Sequence, residues 1–203
     1  MPQHAYQLKI TLAGIRPPIW RRILVSGDTS LKALHEIVQL VMGWNDSHLY
    51  RFEVDGTMYE DPKNDEFEGD SRPAARAKLA TVLRTPRARF SYLYDFGDCW
   101  KHTIVVEKIL AENRKGIHAA CLAGRRACPP EDCGGVPSYV ELVEAVRNPG
   151  HLEHKAWLDW VGGEFDPEAF DLNAVNRALG LPGSSPEEPL PGNIIPFPKS
   201  RAD

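Results

Sequence analysis

Three cysteines in one short stretch, Cys121, Cys128 and Cys133, are the residues whose type and spacing first suggest chemistry. They lie in the run C-L-A-G-R-R-A-C-P-P-E-D-C-G-G. Zinc takes four nitrogen or sulfur ligands in a tetrahedron, so three thiolates must meet at one point. Gly124, Pro129, Pro130, Gly134 and Gly135 could turn the chain sharply enough for that. The Cys128–Cys133 spacing suits a zinc knuckle; the Cys121–Cys128 spacing is longer, and there is no C-x-x-C. His102 is the fourth candidate, because it shares a strand face with Trp100, Ile104 and Val106 and points toward protein. Cys99 faces the opposite side, and His118 lies in a polar loop. The expectation is a structural Zn²⁺ held by His102, Cys121, Cys128 and Cys133, with no open coordination position. The competing readings are small buried thiols beside a hydrogen-bonded histidine, or a redox-active pair.

Other constellations are weaker. Tyr94-Asp95-Phe96-Gly97-Asp98 contains the Asp-Phe-Gly of kinases, but the glycine-rich loop, strand lysine and catalytic-loop signature are absent. Asp95 and Asp98 are expected to build a turn through bonds from backbone to side chain. Asp95 or Asp98 with Glu131 or Asp132 could form a hydrolytic carboxylate pair, although turn chemistry already explains each residue. No nucleophile elbow, H-E-x-x-H, Walker loop or dinucleotide fingerprint occurs. Trp20, Arg21 and Arg22 set an aromatic ring beside two guanidiniums, which could stack on a base and bind phosphate. The alternative is an edge strand with a packed tryptophan and solvated arginines.

The elements that would position these residues follow from periodicity. Leu8, Ile10 and Leu12 alternate with polar residues as one strand, and Ile19 to Val25 forms a second beyond the Gly14–Pro18 turn. Asp28, Thr29 and Ser30 offer N-caps to a helix carrying Leu31, Leu34, Val38 and Val41 on one stripe, with Gly43 as its stop. His48 to Val54 and Thr57 to Glu60 make a hairpin around Asp55-Gly56. This β-β-α-β-β order has the outline of a β-grasp-like unit. Glu60 to Asp70 is an acidic loop, and Lys78 to Leu83 a short helix. Phe90, Tyr92 and Tyr94, then Trp100, His102, Ile104 and Val106, form a second hairpin. Between Ala111 and Pro137 the pattern dissolves. Ser138 and Glu141 form a capping box for a helix ending at Asn148-Pro149-Gly150. Glu153 to Val161, with Trp157 and Trp160, and Leu172 to Leu179 are two further helices. The fold class is therefore α+β: a mixed or antiparallel sheet and a helical C-terminal region. Residues 1–181 are expected to form one domain, and the Pro-rich residues 182–203 a disordered tail.

The chain has 203 residues and a net charge of −4, with 24 Lys and Arg against 28 Asp and Glu. No basic excess or obvious basic stripe of the kind that grips many phosphates appears, although small sets such as Arg16, Arg21 and Arg22 could converge in the fold. No run of about 18 apolar residues exists, so no membrane span is expected. The first ten residues lack a basic stretch followed by an apolar one, so no secretory signal is expected either. A cytoplasmic, reducing location favours free thiols or metal ligands over disulfides.

The chain resembles the plasmid pRiA4b ORF-3-like family. The resemblance rests on Ile15-Arg16-Pro17-Pro18-Ile19-Trp20-Arg21-Arg22, Gly43-Trp44 with His48-Leu49-Tyr50, and Tyr94 to His102. Cys128-Pro129-Pro130-Glu131-Asp132-Cys133-Gly134-Gly135 and Phe165-Asp166-Pro167-Glu168-Ala169-Phe170-Asp171 complete it, in order, from about residue 5 to about residue 180. It implies a small bacterial or archaeal α+β protein, in some cases plasmid- or mobile-element-encoded. Cys99 stands where the family usually carries a polar or acidic residue. A transposon-resolvase role attached to some members has no support here, since no serine nucleophile sits among clustered arginines and no helix-turn-helix is evident. The resemblance also implies that His102, Cys121, Cys128 and Cys133 matter to the family.

Three functions follow as expectations. The first is a non-enzymatic binding or interaction module pinned by the Cys₃His zinc. The second is a nucleic-acid-associated accessory of mobile elements, using Trp20, Arg21 and Arg22. The third is a metal-assisted hydrolase built on Asp95, Asp98, His102 or Glu131.

Overall fold

The structure, a computed structural model, describes residues 4–61, 71–111 and 119–181. The expected tail, His118 and most of the acidic loop lie outside the described residues. The strands are β1 (His4–Leu12), β2 (Trp20–Ser26), β3 (Tyr50–Val54), β4 (Thr57–Glu60), β5 (Arg72–Pro73), β6 (Arg89–Tyr94), β7 (Trp100–Ala111) and β8 (Ala119–Arg125). The helices are α1 (Leu31–Met42), α2 (Leu79–Val82), α3 (Gly135–Arg147), α4 (His154–Trp160) and α5 (Leu172–Ala178). One mixed sheet runs β5-β4-β3-β6-β7-β1-β2-β8. Among the described residues only β4 and β5 pair in parallel; the other neighbours are antiparallel. The fold is α+β.

The period-two pattern decides which face is buried. Leu8, Ile10 and Leu12 of β1, Phe90, Tyr92 and Tyr94 of β6, and Trp100, His102, Ile104 and Val106 of β7 all point inward. Their alternates Lys101 and Thr103 are exposed. Helix α1 lies over the inner face, contributing Leu31, Leu34, Val38, Val41 and Met42 to the same core. Each such side chain contributes about 1.5–3 kcal/mol of transfer free energy. The ends of α1 are set by Ser30, whose hydroxyl accepts from the Ala33 N–H, and by Gly43 at φ 88°. Asp55 and Gly56, both at positive φ, close the β3–β4 hairpin.

Three expectations need correction. The elements do run strand, strand, helix, strand, strand, but β6 and β7 lie between the two hairpins, so these four strands do not form one β-grasp sheet. The stretch read as irregular contains β8, paired with β2 across Ile23–Cys121 and Trp20–Arg125. Its A-A-C-L-A-G-R sequence lacks the β-branched and aromatic residues that mark strands, which is why it does not declare itself. Buried Asn176 of α5 covers this edge strand, accepting from the Cys121 N–H and donating to the Cys121 carbonyl. Finally, α3 starts at Gly135 rather than at a Ser138 capping box, with Gly134 as N-cap at φ 90°. Pro137 then falls in the first turn, where its missing donor costs nothing.

Candidate metal centre

Two loops meet at one end of the sheet: residues 43–49 between α1 and β3, and residues 126–134 between β8 and α3. The first is fixed from below. His35 stacks on Tyr50 with ring centroids 3.6 Å apart. Its Nε2 lies 2.6 Å from Asp46 Oδ1 and its Nδ1 2.8 Å from the Tyr92 hydroxyl. Gln39 donates to that hydroxyl and accepts from the Asp46 N–H. The Tyr92 hydroxyl therefore donates to Nδ1, and Nε2–H donates to Asp46. Burial, partly offset by Asp46, lowers the His35 pKa and keeps the ring neutral. The loops are then joined directly. Trp44 Nε1 donates to the Pro129 carbonyl at 2.9 Å, and the Asn45 N–H donates to Glu131 Oε1 at 2.7 Å.

His48, Asp95 and Asp132 converge at this junction, each offering a ligand atom within 4.8 Å of the others. Asp95 follows β6 and is buried; its Oδ1 accepts from the Gly97 and Asp98 N–H groups, which closes the β6–β7 turn as expected. That leaves Oδ2 facing His48 Nε2 at 3.7 Å. Asp132 Oδ1 lies 2.9 Å from the same nitrogen, and Glu131 Oε2 lies 3.7 Å away. Nε2 is buried among three carboxylates, yet none of them is aligned to accept from it. Asp95 and Asp132 both hold a left-handed backbone, at φ 56° and 58°, as Asp tolerates better than most residues. Tyr94 donates to Glu131 at 3.0 Å and accepts from the Ser47 N–H. Burial and the neighbouring Glu131 push the Tyr94 phenol up, so it stays protonated as a donor. The Asp132 side chain is 70% exposed, so the cluster opens to solvent on that side.

A nitrogen and two carboxylates at this spacing fit a first-row dication such as Zn²⁺ or Mn²⁺, whose ligand bonds are about 2.0–2.2 Å long. Three protein donors and a solvent-facing side leave coordination positions for water or a ligand oxygen.

The cysteine quartet does not assemble. Among the described residues, His48, Asp95 and Asp132 are the only group with metal-ligand spacing. Cys121 belongs to a strand rather than a loop, and its buried sulfur faces the Ala123 carbonyl. Cys128 Sγ sits 3.1 Å from Met42 Sδ and 3.3 Å from Arg21 Nη2. Cys133 is buried beside Asp98. Burial pushes all three thiols up, to about 11, 11 and 12 respectively. His102 lies in the core between Tyr92 and Trp44, ring centroids 5.3 and 5.4 Å away, with both nitrogens unpartnered. The physical reason is β8: the strand carries Cys121 into the ladder and away from the turns holding the other two. Asp98 also stands apart, its Oδ2 accepting from the Gly134 N–H.

The structure places Trp20, Arg21 and Arg22 in different surroundings. Arg21 is 3% exposed. Its guanidinium donates to the carbonyls of Trp20, Val41, Arg125 and Arg126 and lies 4.5 Å over the Phe170 ring. It has no donor free for phosphate. Arg22 forms a two-pronged pair with Glu107, at 2.6 and 2.8 Å. Trp20 is half-buried, with Lys9 and Arg22 against its ring. The residues missed in the sequence were His35 and His48. The His48-Leu49-Tyr50 motif held the signal, but a lone histidine beside turn residues carries no spacing rule.

The comparisons with known proteins agree with this architecture. The chain is similar to uncharacterized protein y4hQ of Sinorhizobium fredii strain NGR234, 38% identical over 177 residues that cover 85% of this chain and 89% of that protein. It is also similar to the crystal structure of MM3350, a protein of unknown function from Methanosarcina mazei Go1. The TM-score is 0.77 at 36% identity, covering 86% of this chain and 97% of that one. The match to the family model spans residues 4–174, taking in both loops of the candidate centre, and the chain belongs to the plasmid pRiA4b ORF-3-like family.

Proposed function

We propose that this protein is a divalent-cation-binding domain. It holds a first-row dication at His48, Asp95 and Asp132 and presents the cation's open positions to a ligand oxygen. The carrying observation is the His48 Nε2, buried among three carboxylates and aligned to donate to none of them. A cation there would give the nitrogen a partner and offset the repulsion between the acids. The surrounding bonds support the reading, since His35, Gln39, Trp44 and Asn45 fix the two loops before any ion arrives. The test is isothermal titration calorimetry of chelator-treated protein with ZnCl₂ and MnCl₂. One site per chain is expected, lost in Asp95→Asn and kept in Cys128→Ser. Heats no larger than dilution, or loss in Cys128→Ser alone, would overturn it.

One observation favours a second reading, metal-assisted hydrolysis. Glu131 adjoins the three-ligand set and is oriented by Tyr94 and the Asn45 N–H. A carboxylate so placed could take a proton from a cation-bound water. Turnover of p-nitrophenyl phosphate or acetate with Mn²⁺, abolished in Glu131→Gln while metal binding persists, is the expected signature. Equal rates in both proteins would remove it.

A further inference from the structure

Residues of α3, of α4 and of the loop that carries Asp132 line a cleft of about 310 Å³. Its walls are Asp132, Cys133, Glu141, Glu153, Ala156, Trp157 and Trp160. The size is at the lower end of small-ligand sites, which run from about 300 to 1,000 Å³. The two indoles meet edge to face, ring centroids 5.5 Å apart and planes 87° apart. His154 Nδ1, 2.7 Å from the Ala145 carbonyl at the C-terminal end of α3, ties the start of α4 to α3. Trp160 is nevertheless 48% exposed, although a large aromatic on a short helix would normally be covered.

The charge of the cleft is one-sided. Asp132, Glu141 and Glu153 supply three carboxylates, and among the described residues no basic side chain lines it. Among the described residues neither Glu141 nor Glu153 is ion-paired with a cation. Anions would be repelled, and a neutral apolar ligand would leave the acids uncompensated. An ammonium group meets both features, because an indole face attracts a cation through its quadrupole and carboxylates attract it by charge.

We propose that the cleft between α3 and α4 binds an alkylammonium group, seated against Trp157 and Trp160 and neutralised by Glu141, Glu153 and Asp132. Three acids favour a ligand with more than one positive charge, such as a short diamine, over a singly charged one. The site is separate from the cation centre and shares only Asp132 with it, so neither reading requires the other.

The test is a titration of the full chain in excess chelator, followed by the indole N–H resonances in ¹⁵N-edited NMR spectra. Putrescine and N-acetyl-lysine-methylamide are the two probes, with NaCl at matched ionic strength as control. Saturable shifts confined to Trp157 and Trp160 are expected, with Trp44 and Trp100 unmoved and putrescine binding about tenfold tighter. Tighter binding of the lysine probe would keep the site and assign it to a protein side chain. Trp160→Ala should weaken binding at least tenfold; that residue is half exposed, so the fold survives its loss, and an unchanged melting curve verifies this. Glu141→Gln with Glu153→Gln should weaken it at least fivefold, whereas Asp95→Asn, which removes the cation centre, should not change it. Shifts that do not saturate, that NaCl reproduces, or that persist in Trp160→Ala would overturn the proposal.

Discussion

Nε2 of His48 lies 2.9 Å from Oδ1 of Asp132, although one residue precedes β3 and the other precedes α3. Two loops distant in sequence are thus held at one point. If a dication belongs there, binding it should stabilise the protein. At a metal concentration 1,000 times Kd the gain is about 4 kcal/mol. Thermal melts with and without Zn²⁺ or Mn²⁺ should therefore separate by several degrees in the parent protein, and coincide in His48→Ala. Cys121→Ser should keep the separation, because its sulfur lies outside the cluster.

His102 should make stability fall with acid. Burial lowers its pKa to about 4. The unfolded chain, with a histidine pKa near 6.5, then binds more protons than the folded one between pH 6.5 and 4. Stability is complete above 6.5 and declines as pH drops toward 4, by about 3 kcal/mol at about 1.36 kcal/mol per pKa unit. Burial acts on His35 in the same direction. Urea midpoints measured across this window should fall with pH in the parent protein and fall less in His102→Leu.

Arg21 and Arg22 are neighbours with opposite fates. Arg21→Ala leaves four carbonyls without their charged donor and the Phe170 ring without its cover, at a cost of about 3 kcal/mol or more. Arg22→Ala removes a partly solvated pair with Glu107 and should cost less than about 1 kcal/mol. Denaturant titration of the two variants checks the contrast; equal losses would contradict the burial assigned to Arg21.

Gly124 is constrained by contact rather than by conformation. A Cβ there would lie 2.5 Å from Cζ of Phe170 and 2.8 Å from Cδ of Arg21. Gly124→Ala should cost about 1–3 kcal/mol through overpacking. The cost should shrink in a Phe170→Ala background, where the two shortest contacts are gone. A double-mutant cycle measures the coupling, and strict additivity would mean that the ring does not sit on the strand as described.

Much of the fold was legible because it obeys short-range rules. Ser30, Gly43, Asp55-Gly56 and the alternation along Phe90–Tyr94 and Trp100–Val106 each encode local geometry that tertiary context did not override. Strand β8 was not legible, since Ala119–Arg125 is a strand by virtue of its neighbour β2 and of Asn176, not of its own propensity. The start of α3 was missed for a related reason: the Gly134 N–H is held by Asp98, a residue far away in sequence.

By itself the sequence determined the hairpins, the caps and the buried face of α1, the α+β class and the family, because those depend on patterns in the chain itself. Only the tertiary structure decided which chemistry-bearing residues meet. It set His102 in the core, carried Cys121 into a sheet, buried Arg21 under Phe170, and brought His48 to Asp95 and Asp132. Ligand convergence depends on distances between separate loops, and those are set by sheet order and packing rather than by spacing along the chain.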